Sequence, residues 1–174
     1  MTLVAAADGS ALGNPGPAGW AWYINDNQWR SGGWKRATNN QGELMAVLSL
    51  LQETRSVKHL PLTILCDSQY VINAVTVWIK NWKKNNWRKA NGKPVLNADL
   101  IRLIDQELQG REITFEWVKG HSGHFLNEKV DSLAKDAASA FATGKAPVTG
   151  PGFNEKSLTE KIDLNTEPQS ATLF

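Results

Sequence analysis

Two short apolar runs, each closed by an aspartate, constrain this chain more than any other feature. Residues 62–66 follow Pro61 as an apolar run and stop at Asp67-Ser68. A run this short, apolar on both of its alternating sets, predicts a central strand covered on both faces. Residues 3–7 repeat the pattern and stop at Asp8-Gly9. Both aspartates are therefore expected at strand ends, and adjacent parallel strands would bring those ends within a few ångströms of each other.

The other segments supply what such a sheet needs. Residues 18–24 and 28–35 are Trp-rich and bracketed by turn residues, which predicts a hairpin through Asn25-Asp26-Asn27. Thr38-Asn39-Asn40 offers capping side chains ahead of residues 43–51, a helix apolar around most of its surface and hence largely buried. Ser68 caps another helix, residues 99–108 form an amphipathic one, residues 113–118 alternate as a strand, and the Ala-rich residues 127–142 form the last helix. Three strands followed by alternating helices and strands imply an α/β architecture: a mixed five-stranded sheet with helices on both faces.

The chain has 174 residues, enough for one domain with a core of its own. At 41% hydrophobic and 21% charged residues it has the composition of a soluble globular protein, and no run approaches the roughly 18 apolar residues of a membrane span. The N-terminal residues lack the basic region of a signal peptide, and the lone Cys66 excludes a thiolate metal cluster and fits a reducing compartment, so a cytoplasmic location is expected. We divide the chain into a main domain, residues 1–143, and a tail, residues 144–174, whose Gly, Pro, Ser and Thr content predicts disorder. The tail's apolar end, Leu173-Phe174, is a candidate docking point for a protein partner.

A net charge of +2 says little, but its distribution says more. Residues 78–97 hold Lys80, Lys83, Lys84, Arg88, Lys89 and Lys93 with no acid, interleaved with Trp78, Trp82 and Trp87. This is a candidate phosphate-binding stripe, although a solvated basic helix pinned by its tryptophans has the same composition. Trp87 is expected to do the pinning.

Four acids, Asp8, Glu43, Asp67 and Asp131, stand on two strands and two helices that could bring them together. Singly, each has a plain alternative as a cap, a turn, a helix-dipole partner or a solvated side chain. Gathered, they would repel and lose charge unless a cation compensated them, and hard oxygen ligands suit Mg²⁺ or Mn²⁺.

The surroundings of these acids decide between the readings. Asp8-Gly9-Ser10 with the stretch 13–19 (Gly-Asn-Pro-Gly-Pro-Ala-Gly), the stretch 38–44 (Thr-Asn-Asn-Gln-Gly-Glu-Leu), Asp67-Ser68-Gln69-Tyr70-Val71, the stretch 117–124 (Trp-Val-Lys-Gly-His-Ser-Gly-His), and Asn127-Glu128 with Asp131 resemble the bacterial type 1 ribonuclease H family, in that family's order. The likeness covers residues 3–142. It implies a ribonuclease H-like fold and an endonuclease that hydrolyses the RNA strand of RNA·DNA hybrids, leaving 5′-phosphate and 3′-hydroxyl ends. It also implies that Asp8, Glu43, Asp67 and Asp131 are metal ligands for two Mg²⁺ ions straddling the scissile phosphate, one activating the attacking water and one stabilising the leaving oxygen. His121, in a Gly-flanked loop, takes the family's auxiliary role of proton relay or product expulsion. His124 is expected to be structural, and His59 exposed.

For the substrate, the resemblance places Asn14, Gln69 and Glu43 near the RNA strand's 2′-hydroxyls and phosphates. Thr38, Asn40 and Asn97 are carried over as further substrate contacts, Asn40 bridging to the DNA strand and Thr38 helping to hold a phosphate. Amides suit hydroxyls because they both donate and accept. Residues 78–94 resemble the basic protrusion of some family members. Trp78 and Trp82 would form a flat wall against deoxyribose, and Lys83, Lys84 and Arg88 would neutralise phosphates. Where some members place an arginine on the second strand, this chain has Asn25 in a shortened hairpin; either the phosphate pocket is weaker or Arg30 substitutes. A monomer is expected. A resolvase or integrase of the same superfamily would share the carboxylates but lack the Thr-Asn-Asn connection and the protrusion. A non-catalytic hybrid-binding module would have a broken carboxylate set.

Overall fold

A computed structural model describes residues 1–120, 122–156 and 158. Five strands form one sheet: β1 (Leu3–Ala11), β2 (Gly16–Asn25), β3 (Gln28–Ala37), β4 (Leu62–Cys66) and β5 (Ile113–Trp117), in the order β3-β2-β1-β4-β5. The β1–β2 and β2–β3 pairs are antiparallel, whereas β1–β4 and β4–β5 are parallel. Helices α1 (Asn39–Glu53), α2 (Gln69–Asn73), α3 (Ile79–Lys84), α4 (Ala98–Leu108) and α5 (Phe125–Thr143) complete the α/β fold. A π-helical turn at Ala74–Trp78 joins α2 to α3.

Alternation along β1 divides the core. Ala5 and Ala7 face the side of Trp22, Leu44, Leu50 and Ile104, where α1 and α4 pack; Ala6 joins Ala21, Leu65, Val130 and Ala134 under α5. Small residues in β1 and β2 let helices approach closely: a Cβ on Gly19 would collide with the backbone of α5 at Ala134. The buried Trp22 indole N–H donates to Ser49 Oγ (3.0 Å) and Ser49 Oγ donates to Glu53 Oε2 (3.2 Å), which also accepts from Arg30 Nε (2.5 Å).

Several expectations are corrected. Asp8 does not end its strand, because β1 continues to Ala11 against β2. Its parallel pairing with β4 does stop at Ala6↔Leu65, so Asp8 lies just past the end of that ladder, level with Asp67 beyond Cys66. Glu43 does not open α1; the helix starts four residues earlier. Thr38 accepts from the Gln41 N–H (3.1 Å) and Gln41 Oε1 accepts from the Thr38 N–H (2.8 Å), a reciprocal capping box.

The larger correction concerns the tail. Disorder was expected from Gly144 onward, yet residues 148–154 lie along β3. The Ser31 N–H donates to the Thr149 carbonyl (3.0 Å), the Gly152 N–H donates to the Trp29 carbonyl (2.9 Å), and Ser31 Oγ donates to the Val148 carbonyl (2.8 Å). The buried Gln28 accepts from the Asn154 N–H (3.2 Å), and Phe153 and Leu158 pack on the main core. β3 is the sheet's edge, and a segment that satisfies its free backbone groups gains order without the apolar periodicity that composition looks for. The expectation for Leu173-Phe174 lies outside the described residues.

Phe153→Ala is expected to lower stability by about 1–3 kcal/mol, the cost of truncating a partly buried aromatic. Urea melts check this, and an unchanged midpoint would return the segment to the status of a loose tail.

Candidate active site

The end of the β1–β4 ladder leaves a crevice at the carboxyl ends of two parallel strands, where open α/β sheets place their sites. Asp8 comes from β1, Asp67 from the connection after β4, and Glu43 from the second turn of α1. One carboxylate oxygen from each lies within 4.8 Å of the others. Contact between α1 and β1 makes this possible: a Cβ on Gly9 would collide with the Glu43 backbone N and with Gly42. Gly120 leaves similar room beside Asp67 Oδ2.

Asp8 and Glu43 are buried. Burial pushes the Asp8 carboxyl up from its ordinary 3.8 to about 7; the neighbouring charges of Asp67 and Asp131 push the same way, while hydrogen bonds from Glu43 and Gly9 pull it back. Burial first, and then the Asp8 charge, also hold Glu43 well above the usual carboxylate range. Asp8 Oδ2 and Glu43 Oε2 are buried without hydrogen-bond partners. Orphaned anionic oxygens cost free energy, and a hard divalent cation satisfies them. The donor set fits such an ion.

Asp131 stands apart from this triad. It is on α5, its charge is felt by Asp8, and its Oδ2 pairs with Lys135 Nζ (3.0 Å) one turn along the helix. His121 lies outside the described residues. His124 is the exposed N-cap of α5; its carbonyl accepts from the Glu128 N–H (2.9 Å), and among the described residues its side chain makes no capping bond. His59 is exposed.

The residues expected to meet substrate fall in two groups, one around the start of α1 and one along residues 69–97. Asn14 is exposed and its Oδ1 accepts from the Asn39 N–H (3.0 Å), while Asn39 Oδ1 accepts from the Ala11 N–H (2.7 Å), tying this loop to the start of α1. Thr38 is occupied as the N-cap, and Asn40 and Gln69 are exposed. Asn97 is the left-handed N-cap of α4, and its Nδ2 donates to the Tyr70 hydroxyl (3.3 Å). Tyr70, Trp78, Trp82 and Trp87 form a row with ring centroids 6.0, 5.9 and 6.4 Å apart. The row is not a flat wall, because Trp78 and Trp82 are inclined at 57°. Trp87 packs on the core with Arg102 4.7 Å above its ring, as its pinning role requires.

The basic stripe is partly engaged. Lys83 Nζ pairs with Asp105 (2.6 Å) and Arg88 donates to the Gly92 carbonyl (3.1 Å), whereas Lys84 is exposed with no ion pair to a described residue. A groove of about 770 Å³ runs between Gln41 and residues 93–100, bringing Lys89 and Lys93 towards the start of α1. Arg30 Nε pairs with Glu53 Oε2 at 2.5 Å. The sequence reading gave no role to Gln41 or Trp117. The Thr-x-x-Gln spacing would have identified Gln41 as a capping partner; no local signal marks the bond from the Trp117 indole N–H to the Asp67 carbonyl (3.2 Å).

With this geometry in place, the relatives are informative. Residues 2–139 match the family model described as RNase H. Ribonuclease H of Tropheryma whipplei (strain Twist) is 54% identical over 155 residues, 89% of this chain and 96% of that protein. Ribonuclease HI of Haemophilus ducreyi is 49% identical over 134 residues, 74% of this chain and 84% of that protein. Among solved structures, the N-terminal RNase H domain of a Mycobacterium tuberculosis protein, fused to maltose-binding protein, superposes with a TM-score of 0.64 at 26% identity, covering 83% of this chain and 99% of that one. The chain belongs to the ribonuclease H family.

Burial of the acid pair has a signed consequence for metal-free protein. Asp8 has a raised pKa in the folded chain, so its contribution to stability is full below its ordinary value near 3.8 and is lost as pH rises towards about 7. In EDTA, Asp8→Asn is expected to be more stable than wild type at neutral pH by on the order of 1–3 kcal/mol, with little difference at about pH 4. Urea melts at both pH values test this, and equal stabilities at neutral pH would contradict it.

Proposed function

We propose that this protein is a magnesium-dependent ribonuclease H that hydrolyses the RNA strand of RNA·DNA hybrids, and that Asp8, Glu43, Asp67 and Asp131 are its metal ligands. The observation that carries the reading is the triad of Asp8, Glu43 and Asp67 with two buried, unpartnered carboxylate oxygens. These carboxylates would hold Mg²⁺, as two ions on the family pattern, and the bound metal would supply charge neutralisation at the phosphate and a more acidic water nucleophile. The chain's own groups hold and orient. Asp8 and Glu43 are fixed by β1 and α1, Asp67 stands between β4 and α2, and Asp131 approaches from α5. His121 acts as the auxiliary proton carrier.

Substrate selection follows from the two groups of expected contacts. Asn14 and Gln69 offer both donors and acceptors to the 2′-hydroxyls of the RNA strand. Asn40 and Thr38 reach the DNA strand from the start of α1, and Asn97 closes the same groove from α4. Trp78 and Trp82 present inclined aromatic faces to deoxyribose, and Lys83, Lys84 and Arg88 meet phosphates. The four carboxylates come from one chain, which suits a monomer. Among the described residues no helix is long and apolar enough to cross a membrane, and the buried, unpaired Cys66 suits a reducing cytoplasm.

The decisive assay offers end-labelled RNA·DNA hybrid, double-stranded RNA, single-stranded RNA and double-stranded DNA with Mg²⁺. Cleavage is expected in the RNA of the hybrid only, leaving 3′-hydroxyl ends, abolished by EDTA and reduced about 10³-fold or more by Asp67→Asn. Hybrid that is bound but uncut would make this a binding module. Cleavage of branched DNA instead would indicate a resolvase-type activity.

Binding to hybrid is expected to weaken with salt. Lys84→Ala should lower the slope of log K against log salt by about 1. Lys83→Ala should lower it less, because Asp105 already holds that ammonium. Equal slopes for the two variants would show that the Lys83–Asp105 pair opens on binding.

A further inference from the structure

The three carboxylates of the triad are not restrained alike. Asp8 lies inside a strand paired with β2 on its other side, and Glu43 lies inside a capped 15-residue helix. Both are buried. Asp67 is only half-buried and belongs to a connection, between the last residue of β4 and the N-cap of α2, which is five residues long before its π-turn. A neighbouring element bonds directly to this connection.

That neighbour is the end of β5. Trp117 pairs with Cys66 in the parallel register, the Val118 N–H donates to the Cys66 carbonyl (3.0 Å), and the Trp117 indole N–H donates to the Asp67 carbonyl itself (3.2 Å). Gly120, three residues on, leaves the space that Asp67 Oδ2 occupies. Trp117 is 49% exposed on the edge strand, so burial of the ring does not account for a tryptophan here. Its indole N–H, by contrast, makes a specific bond that phenylalanine or leucine would lack.

We infer that Trp117 is a positioning residue for the metal site, holding the Asp67 carbonyl so that the β4–α2 connection presents its carboxylate to Asp8 and Glu43. It acts through Asp67. The inference rests on the metal-site reading proposed above. The same bond fixes the turn that starts α2 at Ser68, whose Oγ accepts from the Val71 N–H (3.2 Å).

The test compares wild type, Trp117→Phe and Asp67→Asn as full-length proteins. Mg²⁺ binding is measured by isothermal titration calorimetry, together with thermal stability and hybrid affinity in EDTA. Trp117→Phe keeps a ring and removes the donor. The expected result is Mg²⁺ affinity weakened about fivefold, the loss of one net hydrogen bond's worth of positioning. Hybrid affinity in EDTA should stay within about twofold, and the rate at saturating Mg²⁺ should return to near the wild-type value. Unchanged Mg²⁺ affinity in Trp117→Phe, with wild type binding and Asp67→Asn deficient, would overturn the positioning role and leave the metal site standing. Equal losses of Mg²⁺ affinity and hybrid affinity would also overturn it, showing a general structural role. Wild type binding no Mg²⁺ that Asp67→Asn loses would overturn the metal reading and this inference together.

Discussion

The rest of this structure is arranged around one unfavourable constraint: two carboxylates, Asp8 and Glu43, buried against each other with Asp67 beside them. Removing a carboxylate from water is costly, and adding a like charge beside it compounds the cost. Nothing in the hydrophobic effect favours this arrangement, so the remaining elements must impose it. The main core does so: β1 and α1 bury Ala5, Ala7, Leu44, Val47 and Leu51 between them, and that packing carries Asp8 and Glu43 into contact at its edge. Stability spent here is the usual mark of a functional site, where local rules are broken and the surrounding fold over-determines the geometry.

Close approach is the means. An ordinary side chain at residue 9 would push α1 away from β1 and separate the two acids, and one at residue 19 would lift α5 and take Asp131 with it. The parallel pairing of β1 with β4 opens the crevice by stopping at Ala6↔Leu65, while β2 keeps β1 straight through Asp8 to Ala11. A mixed sheet therefore does what neither pure type would. Its parallel pair supplies strand ends, and its antiparallel pair holds an acid rigidly at one of them.

Much of this was legible in the sequence because the signals were local. Strand 62–66 was read to the residue since Pro61 and Asp67-Ser68 punctuate it on both sides. The capping role of Thr38 was legible for the same reason, although the start of α1 was placed at Glu43 because Asn39, Asn40 and Gly42 are poor helix formers that only the capping box and tertiary packing hold in place. What was not legible depends on contacts between distant segments. Residues 148–154 adhere to β3 mainly through backbone bonds, which leave no apolar pattern, and a Gly/Pro-rich composition is as compatible with that as with disorder. Lys83 and Asp105 lie on separate helices, so their pairing cannot be read from either. The offset of Asp131 towards Lys135 reflects helix geometry at i and i+4, and a choice between that partner and the triad is a matter of tertiary distance.

The charge layout follows from the same division between fixed and free groups. An acidic crevice would repel a polyanion, so on the proposed reading a hybrid is drawn there by cations outside the triad. Residues 78–97 carry such cations on and after α3, anchored through Trp87 on the core, Arg102 over its ring, and Lys83 to Asp105. The anchoring uses one lysine of the stripe and leaves Lys80, Lys84, Lys89 and Lys93 exposed without an ion pair to a described residue. Rigidity and attraction are thus divided among residues of the same type on one segment. The pairing of Lys83 with Asp105 therefore sets it apart from the other lysines of the stripe, whose ammonium groups are not held by a described acid.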